Sequence, residues 1–157
     1  MNILTLSAKN CMSHLLLKDT FDHFSFIEGE ITTFNTFTID GFLKKDFFDE
    51  ALEDVHSHWK DVREFCFQII RGKRTPLSFK IILSLAPENF ADFLLKYEVS
   101  GFRLEDIQGM YLNLNYDGTR LTCTTGISLK LFTMDKTLEK AWDDAAQKKL
   151  LELELVI

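Results

Sequence analysis

The stretch "YLNLNYDGTRLTCT" constrains the fold more than any other part of the sequence, because it indicates a β-hairpin with a defined register. Apolar and polar residues alternate on both sides of Asp117-Gly118, as in two strands that bury one face. Asp-Gly is favoured in two-residue hairpin turns, because both positions need a positive φ. The expected cross-strand pairs are Leu114 with Leu121, Leu112 with Cys123, Asn115 with Arg120 and Asn113 with Thr122. Each pair joins residues of similar polarity, so turn chemistry and pattern agree on this register.

The segments before this hairpin alternate between strand and helix patterns. "NILTL" predicts a short strand, and Ser7 is a suitable N-cap for the helix that follows. "FSFIEGEITTFNTFTIDGFL" predicts a second hairpin with its turn at Asp40-Gly41. An apolar stripe that begins at Trp59 predicts a helix ending near Gly72, and "LSFKIILSL" predicts a strand. Pro87 fits the first turn of another helix.

The segments after the hairpin complete the expected fold. "ISLKLF" predicts a further strand, Asp135 is the expected cap of a last helix, and the alternating tail "LELELVI" predicts a strand with one apolar face. Adjacent hairpins dominate the order β-α-β-β-α-β-α-β-β-β-α. We therefore expect an α+β fold, with a mostly antiparallel sheet built from hairpins and about four helices packed against it.

The length and composition indicate a single domain over residues 1–157. The hydrophobic fraction of 46% and the charged fraction of 27% are typical of a globular protein, and 15 phenylalanines predict an aromatic core. The first residues lack the layout of a signal peptide, and no apolar run approaches the length of a membrane span. We expect a soluble cytoplasmic protein that does not enter a membrane.

The motifs of the large enzyme classes are missing from the sequence, which has no P-loop, dinucleotide, zincin or nucleophile-elbow pattern. Cys11, Cys66 and Cys123 are odd in number and form no CxxC pair, so reduced thiols are expected rather than disulfides or a zinc site. No catalytic residue, cofactor or metal is predicted, and whether the chain is an enzyme is left open.

Two histidine-containing clusters are candidates for chemistry. His56 and His58 lie among acidic residues, but an i, i+2 pair diverges on a helix, which favours a solvated linker over a metal site. Cys11 and His14 are i, i+3 neighbours that could form a thiolate–imidazolium pair. Cys11 falls on the apolar face of its helix, which favours a buried, inert thiol.

The stretch "IIRGKRTPLSFKI" concentrates positive charge in a chain whose net charge is −6. Arg71 is explained by the preference for cations at the end of a helix. Lys73 and Arg74 lie in the connection to the next strand, and Lys80 points away from the core. The predicted anion-binding residues are Arg71, Lys73, Arg74, Lys80 and Arg120, with Lys130 joining if its strand lies nearby. The alternative is an ordinary charged connection exposed to solvent.

Several stretches of the chain resemble a small uncharacterised family from clostridial Firmicutes, catalogued only as a domain of unknown function. These stretches are "DTFDHF", "TTFNTFTIDG", "GKRTPLSFKI", "YDGTRLTCTTGISLKLFTMDKTLE" and "AWD", and they span most of the chain from Asp19 to Asp143. The resemblance implies an intracellular bacterial single domain and brings no activity, cofactor or catalytic residue with it.

We therefore expect a non-enzymatic binding or regulatory domain with a basic patch for an acidic partner or nucleic acid. The alternative is a small-molecule enzyme or ligand-binding protein, whose polar pocket on the sheet would draw on the basic residues and on Asn35, Asp40, Thr122, Thr124 and Thr125. The apolar residues of the tail are expected to pack into their own domain or to join a second copy as a homodimer.

Overall fold

Six strands form one antiparallel sheet in the computed structural model, which describes residues 1–72 and 74–157. The strands are β1 (Ile3–Leu6), β2 (Ser25–Thr32), β3 (Thr36–Asp40), β4 (Ser78–Ser84), β5 (Ile107–Tyr116) and β6 (Leu121–Leu129). Their order across the sheet is β1-β6-β5-β4-β2-β3, and each neighbouring pair is antiparallel. The α-helices are α1 (Ala8–Met12), α2 (Trp59–Ile70), α3 (Phe90–Lys96) and α4 (Thr137–Glu152). This architecture confirms the α+β prediction.

Only one face of the sheet is buried. Along β4, the side chains of Phe79, Ile81 and Leu83 are almost fully buried, whereas Lys80 between them is exposed. The same alternation runs through β5 and β6, because successive strand residues point to opposite faces. The helices cover the buried face, and the opposite face carries mainly polar residues and is open to solvent in the part of the chain that the structure describes.

The predicted starts of α1 and α2 and the buried face of α2 agree with the structure. Pro87, in contrast, lies in a short 3-10 helix before α3, and the N-cap of α4 is Lys136 rather than Asp135. Ser7 caps α1, where its side-chain oxygen accepts a hydrogen bond from the N–H of Asn10. Trp59 and Cys66 of α2 are fully buried, and the Trp59 indole N–H donates to the carbonyl oxygen of Leu15 at 2.8 Å. In the described ranges, no helix has both the length and the apolar character needed to cross a membrane.

The register predicted for the β5–β6 hairpin is wrong by two residues. Tyr116 pairs with Leu121, and the four residues Asp117–Arg120 form the loop. The Asp117 carboxylate accepts hydrogen bonds from the N–H groups of Thr119 and Arg120 at 2.9 and 2.7 Å, which favours this longer loop over a two-residue turn. A shift of two residues leaves the faces unchanged, so the apolar and polar sides are still those the pattern predicted.

The predicted turn at Asp40-Gly41 is also wrong. The chain reverses at residues 33–35 instead, where the Thr33 N–H donates to the carbonyl oxygen of Asn35. Gly41 lies just beyond β3, and a Cβ atom there would be 2.0 Å from the carbonyl oxygen of Phe26. The glycine at this position is therefore needed for the close approach of two backbones and not for a positive φ in a turn.

The last part of the chain has one strand fewer than expected. Residues 127–129 of "ISLKLF" continue β6 rather than forming a separate strand. The prediction that the tail is a strand is wrong for its first half, because α4 continues to Glu152. Leu150 and Leu153 both pack towards the core. The chain then turns at Glu154, whose φ is 59°, and runs beside β1.

The tail packs into its own domain. The N–H of Ser7 donates to the carbonyl oxygen of Leu155 at 2.7 Å, and the N–H of Ile157 donates to that of Thr5 at 2.9 Å. The Leu155 side chain is fully buried. The outer edge of β1 is therefore partly covered by the end of the described chain.

Substitution of Gly41 by alanine should destabilise the protein by about 3 kcal/mol, because the added methyl group forces the Phe26 backbone away. Gly126 in β6 is the matched control, since a Cβ atom there has no neighbour within 4 Å. We expect Gly126→Ala to change stability by less than about 1 kcal/mol. Urea unfolding followed by circular dichroism measures both, and equal effects of the two substitutions would show that the close approach is wrong.

Candidate functional site

The predicted cationic residues lie mostly at one end of the sheet, which we call the turn end. It comprises the β2–β3 turn (residues 33–35), the connection from α2 to β4 (residues 71–77) and the β5–β6 loop (residues 117–120). Lys73 belongs to this connection but lies outside the described residues. Three chain segments far apart in sequence thus come together because β4 lies between β2 and β5 in the sheet.

Leu77 joins the three segments of the turn end. Its N–H donates to the carbonyl oxygen of Thr32 at 2.9 Å, immediately before the β2–β3 turn. Its own carbonyl oxygen is 2.8 Å from the position of a Cβ atom at Gly118, whose φ of +97° also favours glycine. These contacts bring the segment of Arg74 against the loop of Arg120, and both side chains are exposed.

Lys80 lies on the open face of the sheet, near the same end. Its cross-strand neighbours are Asn115 of β5 and Glu30 of β2, so a cation stands between a neutral polar residue and an acidic one. Arg71 directly follows α2, and its backbone N–H donates to the carbonyl oxygen of Phe67. Arg71 thus lies at a helix C-terminus, as predicted. A cation is favourable there because of the helix dipole, even without a bound ligand.

The charge at the turn end is not neutralised by ion pairs. Among the described residues, none of Arg71, Arg74, Lys80 and Arg120 forms an ion pair with a carboxylate. The nearby Asp117 carboxylate is occupied by its own loop, and the hydrogen bonds from the N–H groups of Arg120 and Thr119 lower its pKa. The exposed cations are therefore free to meet an anion from solution.

Lys130 does not belong to this group. It follows the far end of β6, nine residues away from the β5–β6 loop, and its N–H donates to the carbonyl oxygen of Asp106. A strand of that length spans about 30 Å. The expectation that Lys130 joins the patch is wrong.

The residues proposed for a polar pocket on the sheet do not converge. Thr125 points to the buried face, where its hydroxyl donates to Asp143 at 2.6 Å, whereas Thr122 and Thr124 lie on the open face. Asp40 is four strands away from Thr124, accepts a hydrogen bond from the Phe42 N–H and pairs with a lysine. At ordinary strand spacing, Asp40 therefore lies about 19 Å from Thr124.

A groove of about 610 Å³ lies on the helical side of the sheet, between α3 and α4. Its apolar surface comes mainly from buried aromatic and aliphatic side chains, namely Phe24, Phe93, Leu112, Trp142 and Leu150. Lys96, Lys148 and Lys149 also line it, together with Asp92 and Glu152. Sequence reasoning missed this groove because it depends on how two helices pack, although the pair Lys148-Lys149 beside an apolar helix face was a visible signal.

The two histidines suggested by sequence play separate roles. His56 packs edge-on against the Phe42 ring. His58 has one ring nitrogen 3.1 Å from Glu88 and the other 3.9 Å from Asp54. One oxygen of each carboxylate and one ring nitrogen of His58 lie within 4.8 Å of one another. Asp54, His58 and Glu88 are therefore potential ligands of a divalent metal ion, whereas His56, which the sequence placed beside them, is not part of this cluster.

The three cysteines are buried and free. Burial raises the pKa of Cys11 to about 12, which keeps the thiol protonated at neutral pH. His14 contacts Thr20 through Nδ1 at 2.7 Å. These observations favour the inert thiol that the apolar face of α1 predicted.

Comparison with known proteins places most of the chain in a protein family. The model of a family described as "Family of unknown function (DUF5721)" matches residues 14–156. No curated protein and no solved structure matches the chain.

The Asp117 loop should make stability depend on pH. The pKa of Asp117 is lowered in the folded chain, so the carboxylate stabilises the fold above its ordinary pKa of 3.8 and loses this effect as pH falls. We expect Asp117→Ala to lower the urea midpoint at neutral pH and the difference from wild type to shrink below about pH 3. Asp49→Ala, at another exposed aspartate, is the control. A difference that is constant with pH would contradict the role of the carboxylate.

Proposed function

The chain belongs to the family of unknown function DUF5721, and we propose that it is a non-enzymatic binding domain whose turn end contacts nucleic acid or another polyanion. The binding residues are Arg71, Lys73, Arg74, Lys80 and Arg120. The observation that supports the proposal is the contact of the Leu77 backbone with both neighbouring turns, which brings cations of distant segments to one end of the sheet.

The chemistry of these side chains suits phosphate groups. A guanidinium group presents a planar fork of donors that matches two phosphate oxygens, and Arg74 and Arg120 both carry it. Lys80 adds a point charge on the open face, with the Asn115 and Thr122 side chains in the same row as hydrogen-bonding neighbours. Of the aromatic rings at the turn end, Phe79 and Tyr116 are buried, whereas Phe34 in the β2–β3 turn is exposed and available to stack on a base.

The distribution of charge supports a local contact rather than a general coat. The chain as a whole carries a net charge of −6, and Glu30 and Glu28 lie on the open face beside and beyond Lys80. Repulsion from this acidic side would limit the contact to a few phosphates. Binding should therefore be weak, sensitive to salt and without sequence preference.

Binding of labelled single- and double-stranded DNA and RNA, followed by fluorescence anisotropy at several salt concentrations, tests the proposal. We expect binding at low salt, with log K falling by about 0.7 to 0.9 per phosphate contacted for each tenfold rise in salt. The triple variant Arg74→Glu, Lys80→Glu, Arg120→Glu should lose it.

The matched control is Lys130→Glu, Lys136→Glu, Lys140→Glu, which changes net charge equally at the far end of β6 and the start of α4. This control should retain most of the affinity. Equal losses in the two triple variants would attribute binding to net charge alone. Absence of binding by the wild-type chain at low salt would exclude nucleic acid and leave an acidic protein as the partner to seek.

We also propose a homodimer through the tail, for which the supporting observation is the exposed Ile157 side chain at the edge of the sheet. The hydrogen bond between its N–H and Thr5 fixes the backbone, so the apolar side chain is presented to solvent. Light scattering of the full chain should give twice the monomer mass, and Ile157→Asp should restore the monomer without unfolding the protein. A monomeric wild-type chain at high concentration would contradict this.

A further inference from the structure

We propose that the groove between α3 and α4 binds an amphipathic anion, a molecule with an apolar chain and a single anionic head group. The size of the groove is the first argument. Its volume of about 610 Å³ lies within the range of small-molecule sites, about 300 to 1,000 Å³. A chain of roughly ten carbons would fill only part of such a space.

The floor of the groove offers apolar contacts, while its polar lining residues include Asn89 and Tyr97. Phe24, Leu112 and Leu150 are buried beneath it, and Trp142 uses its indole N–H to donate to the carbonyl oxygen of Tyr111 at 3.0 Å. Because this N–H is already bonded, the indole presents carbon atoms to the groove. Each methylene group buried here should strengthen binding by about fourfold.

The lysines at the groove specify the head group. The ammonium group of Lys149 lies 5.1 Å from the centre of the Phe24 ring, and that of Lys96 lies 5.4 Å from the centre of the Tyr97 ring. Within the described residues, neither these two lysines nor Lys148 forms an ion pair. Three cations therefore face two anions, Asp92 and Glu152, and leave one positive charge without a counterion.

Lys149 is the residue with most to gain from an anion. The side chain as a whole is exposed, but its ammonium group lies over the Phe24 ring, and local burial lowers the pKa of that group. A carboxylate or phosphate at this point would supply the missing partner. The apolar floor and this cation together favour an anionic amphiphile over a neutral or cationic one of equal length.

The groove and the turn end are separate sites. The groove lies on the helical side of the sheet, whereas Lys80 lies on the open face, so the two proposals can succeed or fail independently. No residue of the groove is among those proposed to contact nucleic acid.

Three ligands with the same chain and different head groups test the proposal: decanoate, decanol and decyltrimethylammonium, each below its micelle concentration. Calorimetry measures affinity, and tryptophan fluorescence reports occupancy because Trp142 lines the groove. Decanoate should bind more tightly than decanol, and the cation should bind least. Decyl phosphate, run beside decanoate, distinguishes a phosphate from a carboxylate head group.

The variant Lys149→Met keeps an apolar stem over Phe24 and removes the charge. This variant should lower the affinity for decanoate by at least about tenfold, which is the effect of one hydrogen bond to a charged group. Its affinity for decanol should be unchanged. Lys140→Met, on the same helix but outside the groove, should bind decanoate like wild type. The substitution Ala145→Phe fills the groove and should lower the affinity for both decanoate and decanol.

Wild-type and variant chains are first compared by urea unfolding, so that loss of binding is not confused with loss of fold. No binding of decanoate or decyl phosphate by the folded wild-type chain would overturn the proposal. Equal affinity for decanoate and decanol, or full affinity in Lys149→Met, would overturn the assignment of the head group.

Discussion

Burial of a single face of the sheet is the constraint on which the rest of the structure depends. Each strand must alternate apolar and polar residues, and every helix must pack on the same side. The aromatic content follows from this, because a two-layer domain of this length needs bulky side chains such as Phe26 and Trp59 to fill the space between layers. The open face is thereby left for polar side chains and for contact with other molecules.

The two proposed sites occupy opposite sides of the sheet and use different physics. At the turn end, exposed cations act in water of high dielectric constant, so each contributes little by itself and salt screens its effect beyond about 10 Å. In the groove, the cation is partly desolvated and acts at short range beside apolar surface. A chain with both sites could bind a polyanion and a small amphiphile at once without direct contact between them.

Periodicity and turn chemistry predicted much of the fold from sequence, including the helical face of Trp59 and Cys66 and the inward residues of β4. The errors have physical causes. Asp-Gly occurs twice, and the sequence cannot distinguish Gly118, which takes a positive φ in a loop, from Gly41, which allows two backbones to touch. A register shift of two residues also preserves every face, so pattern alone does not exclude it.

The candidate site was less accessible to prediction, because it depends on strand order. The sequence marked Arg74 and Lys80 as cations that no helix end requires. It did not show that β4 lies beside β5, which brings Arg120 near and leaves Lys130 at the far end. The groove was missed for the same reason, since α3 and α4 are separated by the whole β5–β6 hairpin and their packing is not encoded in either helix alone.

The pairing of β1 with β6 has a consequence for the order in which the protein is built. Among the described strands β1 comes first in the chain, yet β6, the strand with which it pairs, begins at Leu121, more than a hundred residues later. The cost of closing so large a loop delays that pairing, while β5 and β6 can meet as soon as they are synthesised. The central strands therefore form the template, and the strand made first is placed last.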